Sequence, residues 1–276
     1  MRIDFFIPRW GNRHISWADF CAKAKHAGYA GVEANLLADL IEQHEMFETL
    51  AAHDLRWIGQ HFETSTPDFD LHLEQYQTKL YALAAAKPIL INSQTGKDYF
   101  SFEQNCLLIE QASRISKETG VLILHETHRG KFSFCTTATA AYLIRYPELQ
   151  ITADFSHWCC VAESFLQDQQ EIMNLAITRA AHFHARVGFP CGPQVNDPAA
   201  PEWAEALGFH CQWWDAIVQT HRDKGTERLT VTCEFGPFPY MPQLPVTKTY
   251  VSDLWELNLF MKNYLEQRYM RMLQHP

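Results

Sequence analysis

At 276 residues the chain fits one large domain or two small ones, and with 47% hydrophobic residues it can bury a substantial core. A net charge of −9 lacks the basic face that broad nucleic-acid binding requires. Eight cysteines with no C-x-x-C pair, several inside apolar runs, read as small buried hydrophobes in a reducing compartment rather than as a disulfide framework. The opening MRIDFFIPRW has no long apolar core of a signal peptide, and no run of about 18 apolar residues would span a membrane. The expectation is a soluble, cytoplasmic protein.

Taken in chain order, one pattern repeats. Residues 3–8 (IDFFIP) read as a strand, and 16–28 as a helix opened by Ser16 and closed by Gly28. Residues 31–36 read as a strand and 37–54 as a helix; 55–63 as a strand and 70–86 as a helix. Residues 88–94 are a strand, and 101–119 a helix closed by Gly120. Residues 121–126 (VLILHE) are a strand, with helix at 136–146 up to Pro147. Residues 149–155 are a strand and 168–180 a helix. Residues 181–187 are a strand, followed by a long loop and a helix at 203–224. Residues 229–235 are a strand, and 250–273 a long amphipathic helix. Eight strands alternating with eight helices predict parallel βαβ units, and in a chain of this size a single closed (β/α)8 TIM barrel, one domain over 1–276. An open doubly wound sheet is the alternative, but the first turn, PRWGNRH, lacks the glycine pattern that such a sheet shows.

In such a barrel the site lies where the strands end. The third strand ends in Gln60, His61 and Glu63, and the fourth in Asn92, Ser93 and Gln94. The fifth ends in His125, Glu126, His128 and Arg129, and the sixth in Asp154, Ser156 and His157. The seventh carries His182, His184 and Arg186, and the eighth ends in Glu234. Strand starts are mostly apolar or small. Glu126, Asp154 and Glu234 would meet at one mouth, where three carboxylates repel one another unless protons or a cation compensate them. With His184 they make a mixed oxygen and nitrogen donor set that suits one divalent ion, Mn²⁺, Mg²⁺, Zn²⁺ or Co²⁺. Glu126 to Asp154 and Asp154 to His184 are each one βα unit; His184 to Glu234 is one unit plus a long loop. Alternation along a strand turns Thr230, Thr232 and Glu234 inward together, likewise Thr152 with Asp154, and His182 with His184 and Arg186. The same rule turns Leu122 and Leu124 inward below Glu126 and His125 outward, with His182 one layer below His184. Near the strand ends, Phe5, Trp10, Phe62, Trp158, Phe189 and Phe235 are candidates to wall a sugar-sized pocket or to pack the core.

The motifs HETH, ADFSHW, H-x-H-x-R and CEFGP, in this order and spacing, resemble the xylose isomerase-like TIM barrel superfamily, of the sugar phosphate isomerase/epimerase kind. Its members include ketose 3-epimerases, hydroxypyruvate isomerase, inosose dehydratase and endonuclease IV. The resemblance implies Glu126, Asp154, His184 and Glu234 as metal ligands. It implies Glu126 and Glu234 as general bases on the two faces of the substrate, and His157 as a group touching substrate or a metal-bound oxygen. It implies Arg186 as a holder of a substrate oxygen; parity turns His128 to the mouth, and His128, His61 and Gln94, at the strand ends, are further candidate substrate contacts. The reaction implied is proton abstraction next to a carbonyl through a metal-stabilised enediolate. Where ketose 3-epimerases carry a further glutamate, six residues after the first ligand, this chain has Phe132. The endonuclease branch needs more ligands; His61 matches one, but the histidine of strand four and the later Asp-x-His are missing. The expected substrate is a small sugar or polyol, with no nucleic-acid or membrane partner. An inosose-type dehydratase on the same site and a catalytically silent sugar-binding barrel are the alternatives. Arg129, Lys131 and Arg186 are placed to bind an anion or to pair with Glu63, Glu163 or Asp197. The loop CGPQVNDPAAPEW (191–203) is expected to be a lid or a subunit contact. Any excess of the last helix would be free for a homo-oligomer.

Overall fold

The computed structural model describes residues 1–274. Eight parallel strands close into one barrel in sequence order: β1 (Arg2–Pro8), β2 (Gly31–Ala34), β3 (Arg56–His61), β4 (Ile91–Ser93), β5 (Ile123–Glu126), β6 (Ile151–Ala153), β7 (Ala180–His184) and β8 (Arg228–Thr232). The seam joins β8 back to β1 in register, from Arg2 against Arg228 to Phe6 against Thr232. The strands are buried on both faces, which is why they read as apolar runs rather than as alternating ones.

Helices α1 (Trp17–His26), α2 (Leu40–Ala52), α3 (Phe69–Ala85), α4 (Phe102–Thr119) and α5 (Thr136–Arg145) follow the first five strands. Ser16, Asp39 and Asp68 cap the first three through side-chain oxygens, and Ser101 with Gln104 forms a capping box on α4. Gly120, at φ 72°, ends α4 in a left-handed turn that a residue with a Cβ adopts at a cost. After β6 come α6 (Phe155–Ala162) and α7 (Gln170–Arg179). A 3-10 turn (Pro201–Trp203) leads into α8 (Ala204–Asp223), and α9 (Leu254–Gln274) follows β8. No helix of the described residues is long and apolar enough to cross a membrane.

Helix α6 departs from the expectation. Residues 149–155 were expected to continue as strand, but β6 stops at Ala153, Asp154 becomes the N-cap of α6, and its Oδ1 accepts from the Ser156 amide at 3.2 Å. Its other oxygen, Oδ2, faces Arg186 and His184. Likewise Arg186 and Glu234 lie two residues beyond the ends of β7 and β8.

Interior side chains stack in layers. At the base, Arg2, Arg56 and Arg228 surround the buried Asp4 at 2.6, 2.6 and 3.0 Å. Phe6, Ile58, Leu90 and Leu124 form a small apolar floor, separate from the main core between strands and helices. Leu122, expected to help fill this floor, is 39% exposed, because it precedes β5 and lies outside the barrel's strands. Above the floor the interior turns polar.

Candidate functional site

The first polar layer holds Glu33, Asn92, His182 and Thr232, all fully buried. Above it Glu126 ends β5, Asp154 opens α6, His184 ends β7 and Glu234 follows β8. These four each offer an atom within 4.8 Å of all the others. The strand ends therefore bring together the four residues singled out as ligands.

His184 sits at the centre. Its Nδ1 faces Glu234 Oε2 at 2.8 Å, Asp154 Oδ2 at 3.6 Å and Glu126 Oε1 at 3.8 Å; its Nε2 faces Glu33 Oε1 at 3.2 Å. The short Nδ1 contact is not aligned as a hydrogen bond, so Nδ1 remains unpaired. Glu126 Oε1 and Asn92 Oδ1 are likewise buried without a hydrogen-bond partner among the described residues. Unpaired atoms of one carboxylate and an imidazole, beside two further carboxylates, are what a divalent cation satisfies. The residues present thus fit a metal ion.

The charges explain the titration of each group. Burial pushes the Glu126 carboxyl up to about 8, and Glu234 and Asp154 add to the shift against the pull of His184 and Arg186. Burial acts the same way on Asp154, but Arg186, His157 and His184 outweigh it and hold the carboxyl well below the usual range. His184 is buried, yet Glu234 and Glu33 raise it well above an ordinary imidazole. Burial lowers His128 to about 3 and His157 well below the ordinary value, so both rings are neutral.

Arg186 is fully buried among these acids. It pairs with Asp154, lies 3.4 Å from Glu234 Oε2, and donates to His157 Nε2 at 2.8 Å. In this structure it neutralises carboxylates and also lines the cavity above them. None of Arg129, Lys131 and Arg186 pairs with Glu63, Glu163 or Asp197 among the described contacts. Arg129 lies over the Tyr240 ring, 5.1 Å from its centroid.

The cavity over the cluster holds about 280 Å³ and is lined by Trp10, Arg13, Gln60, Phe62, Gln94, Glu126, His128, Arg186, Glu234 and Tyr240. Gln94 and His128, expected at the substrate, are on its wall. His128 Nε2 lies 3.3 Å from the Tyr240 hydroxyl. His157 does not reach the wall: it lies behind His128, the ring centroids 3.9 Å apart.

His61 is a correction. It points away from the mouth, between Ser93 Oγ at 3.0 Å and Thr64 Oγ1 at 2.8 Å, with its ring edge on Tyr76. The reason is parity: Gln60 faces inward and donates to Glu234 Oε1 at 3.3 Å, so its neighbour must face the helices. His125 faces the helices as expected and meets Thr95 Oγ1 at 2.8 Å. Of the aromatic candidates Trp10 and Phe62 line the cavity, Phe5, Trp158 and Phe235 belong to the buried core, and Phe189 packs against it. Phe132 is also buried, edge-on to His125. The loop at 191–203 is pinned: Gln194 exchanges hydrogen bonds with the Gly236 backbone at 3.1 and 2.8 Å, and Val195 is fully buried.

Sequence reading missed Glu33 and Tyr240. Glu33 was visible as a lone acid inside the apolar run GVEANL, with the inward parity of its strand. Tyr240 sits in the irregular segment after β8, where no period marks it.

No family model and no curated protein sequence matches the chain. Solved structures do. The chain is 14% identical to the 3-keto-D-glucoside 4-epimerase YcjR of E. coli over 97% of this chain and 99% of that one, with a TM-score of 0.59. The probable 3-DHS dehydratase AsbF of Bacillus anthracis is 19% identical over 86% and 94%, with a TM-score of 0.56. A xylose isomerase-like TIM barrel protein of Mycobacterium smegmatis, in complex with magnesium, is 11% identical over 91% and 87%, with a TM-score of 0.56. At these identities the likeness is one of architecture, and many of the neighbours are barrels of a single kind. The closed eight-stranded barrel and these neighbours together give the chain the fold of the xylose isomerase-like TIM barrels.

Proposed function

We propose that this chain is a divalent-metal-dependent sugar isomerase or epimerase, working as one domain on a small sugar or polyol derivative. One observation carries the reading: buried atoms of three carboxylates and a histidine lie within 4.8 Å of one another, Glu126 Oε1 and His184 Nδ1 without a hydrogen-bond partner, beside a cavity of about 280 Å³ that Glu126 and Glu234 line. Glu126, Asp154, His184 and Glu234 would hold the ion, whose chemistry there is to polarise a carbonyl and stabilise negative charge developing next to it.

The chain's own groups supply the rest. Glu126 and Glu234 both reach the cavity from different strands, so a substrate lying between them presents one face to each. One carboxylate takes the proton from the carbon beside the carbonyl, and the electron pair of the broken C–H bond moves into the carbonyl group. Return of a proton to the former carbonyl carbon, with the neighbouring hydroxyl proton passing to the former carbonyl oxygen, is isomerisation; return to the opposite face of the same carbon is epimerisation. Arg186, held by Asp154 and His157, presents its remaining donors to substrate oxygen. Gln94 and His128 offer hydrogen bonds to hydroxyls, and Trp10, Phe62 and Tyr240 offer apolar faces to the C–H side of a sugar. The neighbours named as an epimerase and as a probable dehydratase are consistent with chemistry of this class.

The test is metal analysis of the purified protein, followed by incubation with a panel of ketoses and inososes in D₂O with Mn²⁺. One bound ion per chain and deuterium at the carbon next to the carbonyl are expected. Absence of both would remove the enzyme reading. Water loss to a conjugated, ultraviolet-absorbing product would replace it with a dehydratase.

A further inference from the structure

Glu33 lies below the four candidate ligands, fully buried and outside the cavity wall. Its Oε1 lies 3.2 Å from His184 Nε2 and accepts from Asn92 Nδ2 at 2.9 Å; its Oε2 accepts from Thr232 Oγ1 at 2.5 Å. Asn92 Nδ2 also donates to Glu126 Oε2 at 3.0 Å. The two hydrogens of that amide are thereby used on Glu33 and Glu126. His184 Nε2, 3.3 Å from the same nitrogen, receives no hydrogen from it, and must carry its own hydrogen toward Glu33. A cation held among Glu126, Asp154 and Glu234 would take the place of a proton on Nδ1, the nitrogen that faces them, and leave a neutral ring with its hydrogen on Nε2.

We infer that Glu33 is a positioning residue: through its hydrogen bond to His184 Nε2 it fixes the tautomer and ring orientation that turn Nδ1 to the metal. The inference rests on the proposed metal site. Glu33 also groups with His182 and His184, one atom of each within 4.8 Å of the others, but Thr232 and Asn92 point hydrogens at its two oxygens, the wrong polarity for a second cation. Carboxylates behind metal-bound histidines act in this way, and their loss lowers metal affinity about 10- to 100-fold.

The experiment is calorimetric titration of the full chain with Mn²⁺ and Zn²⁺ for wild type, Glu33→Gln, Glu33→Ala and, as ligand control, Asp154→Asn. It is paired with melting of the metal-free proteins and with ¹⁵N NMR of the histidines in the Zn²⁺-loaded wild type. The expected result is one ion per chain, affinity falling about 10- to 100-fold in Glu33→Ala, and a smaller loss in Glu33→Gln, which keeps an acceptor oxygen. The NMR signal of His184 should show hydrogen on Nε2 and metal on Nδ1. A lower melting temperature with unchanged affinity would make Glu33 merely structural and overturn the inference while the metal site stands. Two ions in wild type falling to one in Glu33→Ala would make it a ligand, and also overturn it. Should Glu33→Ala fail to fold, Glu33→Gln and the wild-type tautomer decide alone. A wild type that binds no ion would end the metal reading and this inference together.

Discussion

At the scale of single residues the four acids and one guanidinium packed around His184 set the expectations. Glu126→Gln and Glu234→Gln each remove a proposed base and a proposed ligand, and each should lower turnover by at least about 10²-fold, the usual contribution of a positioned general base. The deuterium-exchange assay measures this directly, and near-normal exchange in either variant would remove that residue from its role. Trp10 offers only an apolar face to the cavity, which it shares with Tyr240, the two rings meeting edge to face at 5.1 Å. Trp10→Ala should therefore raise KM while leaving kcat close to wild type, the pattern of an interaction equal in ground and transition states. A fall in kcat with KM unchanged would instead place Trp10 in transition-state binding.

At the scale of elements, the loop after β8 depends on one small residue. A Cβ on Gly236 would run into the ring of Trp10, and the Gly236 backbone is bonded on both sides to Gln194. Gly236→Ala should displace the indole and weaken substrate binding with little loss of global stability, as checked by KM alongside thermal melting. Elements also show what the sequence made legible. Strand and helix order was readable because each βα unit repeats a burial pattern, and Glu126, Asp154, His184 and Glu234 were readable because parity and strand depth are local properties. His61 was misplaced because its neighbour Gln60, equally polar, took the inward position. Helix α6 was not readable because ADFSHW carries apolar residues at either period, and only the capping by Asp154 decides between them. Glu33 meets Asn92, His184 and Thr232 only through barrel closure, and no sequence window contains two of these partners.

At the scale of the whole molecule, two buried arrangements govern stability. His61 and His210 are fully enclosed, and burial lowers them to about 3 and about 4, far below the roughly 6.5 of an unfolded chain. Between those values the unfolded state binds protons that the folded state refuses, so stability falls as pH drops below about 6.5. Each such histidine contributes a slope of up to about 1.4 kcal/mol per pH unit. Urea unfolding at pH 7.5 and pH 5 should show a shallower loss in a His61→Asn, His210→Gln double variant than in wild type; equal slopes would refute the assignment. At the barrel base Asp4 is the shared partner of arginines on β1, β3 and β8. Asp4→Asn would leave three guanidiniums facing one another. Its cost should lie near the lower end of the roughly 3–5 kcal/mol typical of a broken buried ion pair, because Arg2 and Arg228 are half exposed and stay hydrated. Denaturant titration gives the value.

The proposed ligands all sit at the ends of β5 to β8, whereas Trp10, Arg13, Gln60, Phe62 and Gln94 on the cavity wall come from β3 and the turns after β1, β3 and β4. The half of the barrel from β5 to β8 would thus perform the chemistry, with His128, Arg186 and Tyr240 also on the wall, while the first half would contribute only to the choice of molecule. Exchanging the turns after β1, β3 and β4 with those of another barrel of this fold is then a way to redirect the protein to a different sugar while its reactive half stays intact.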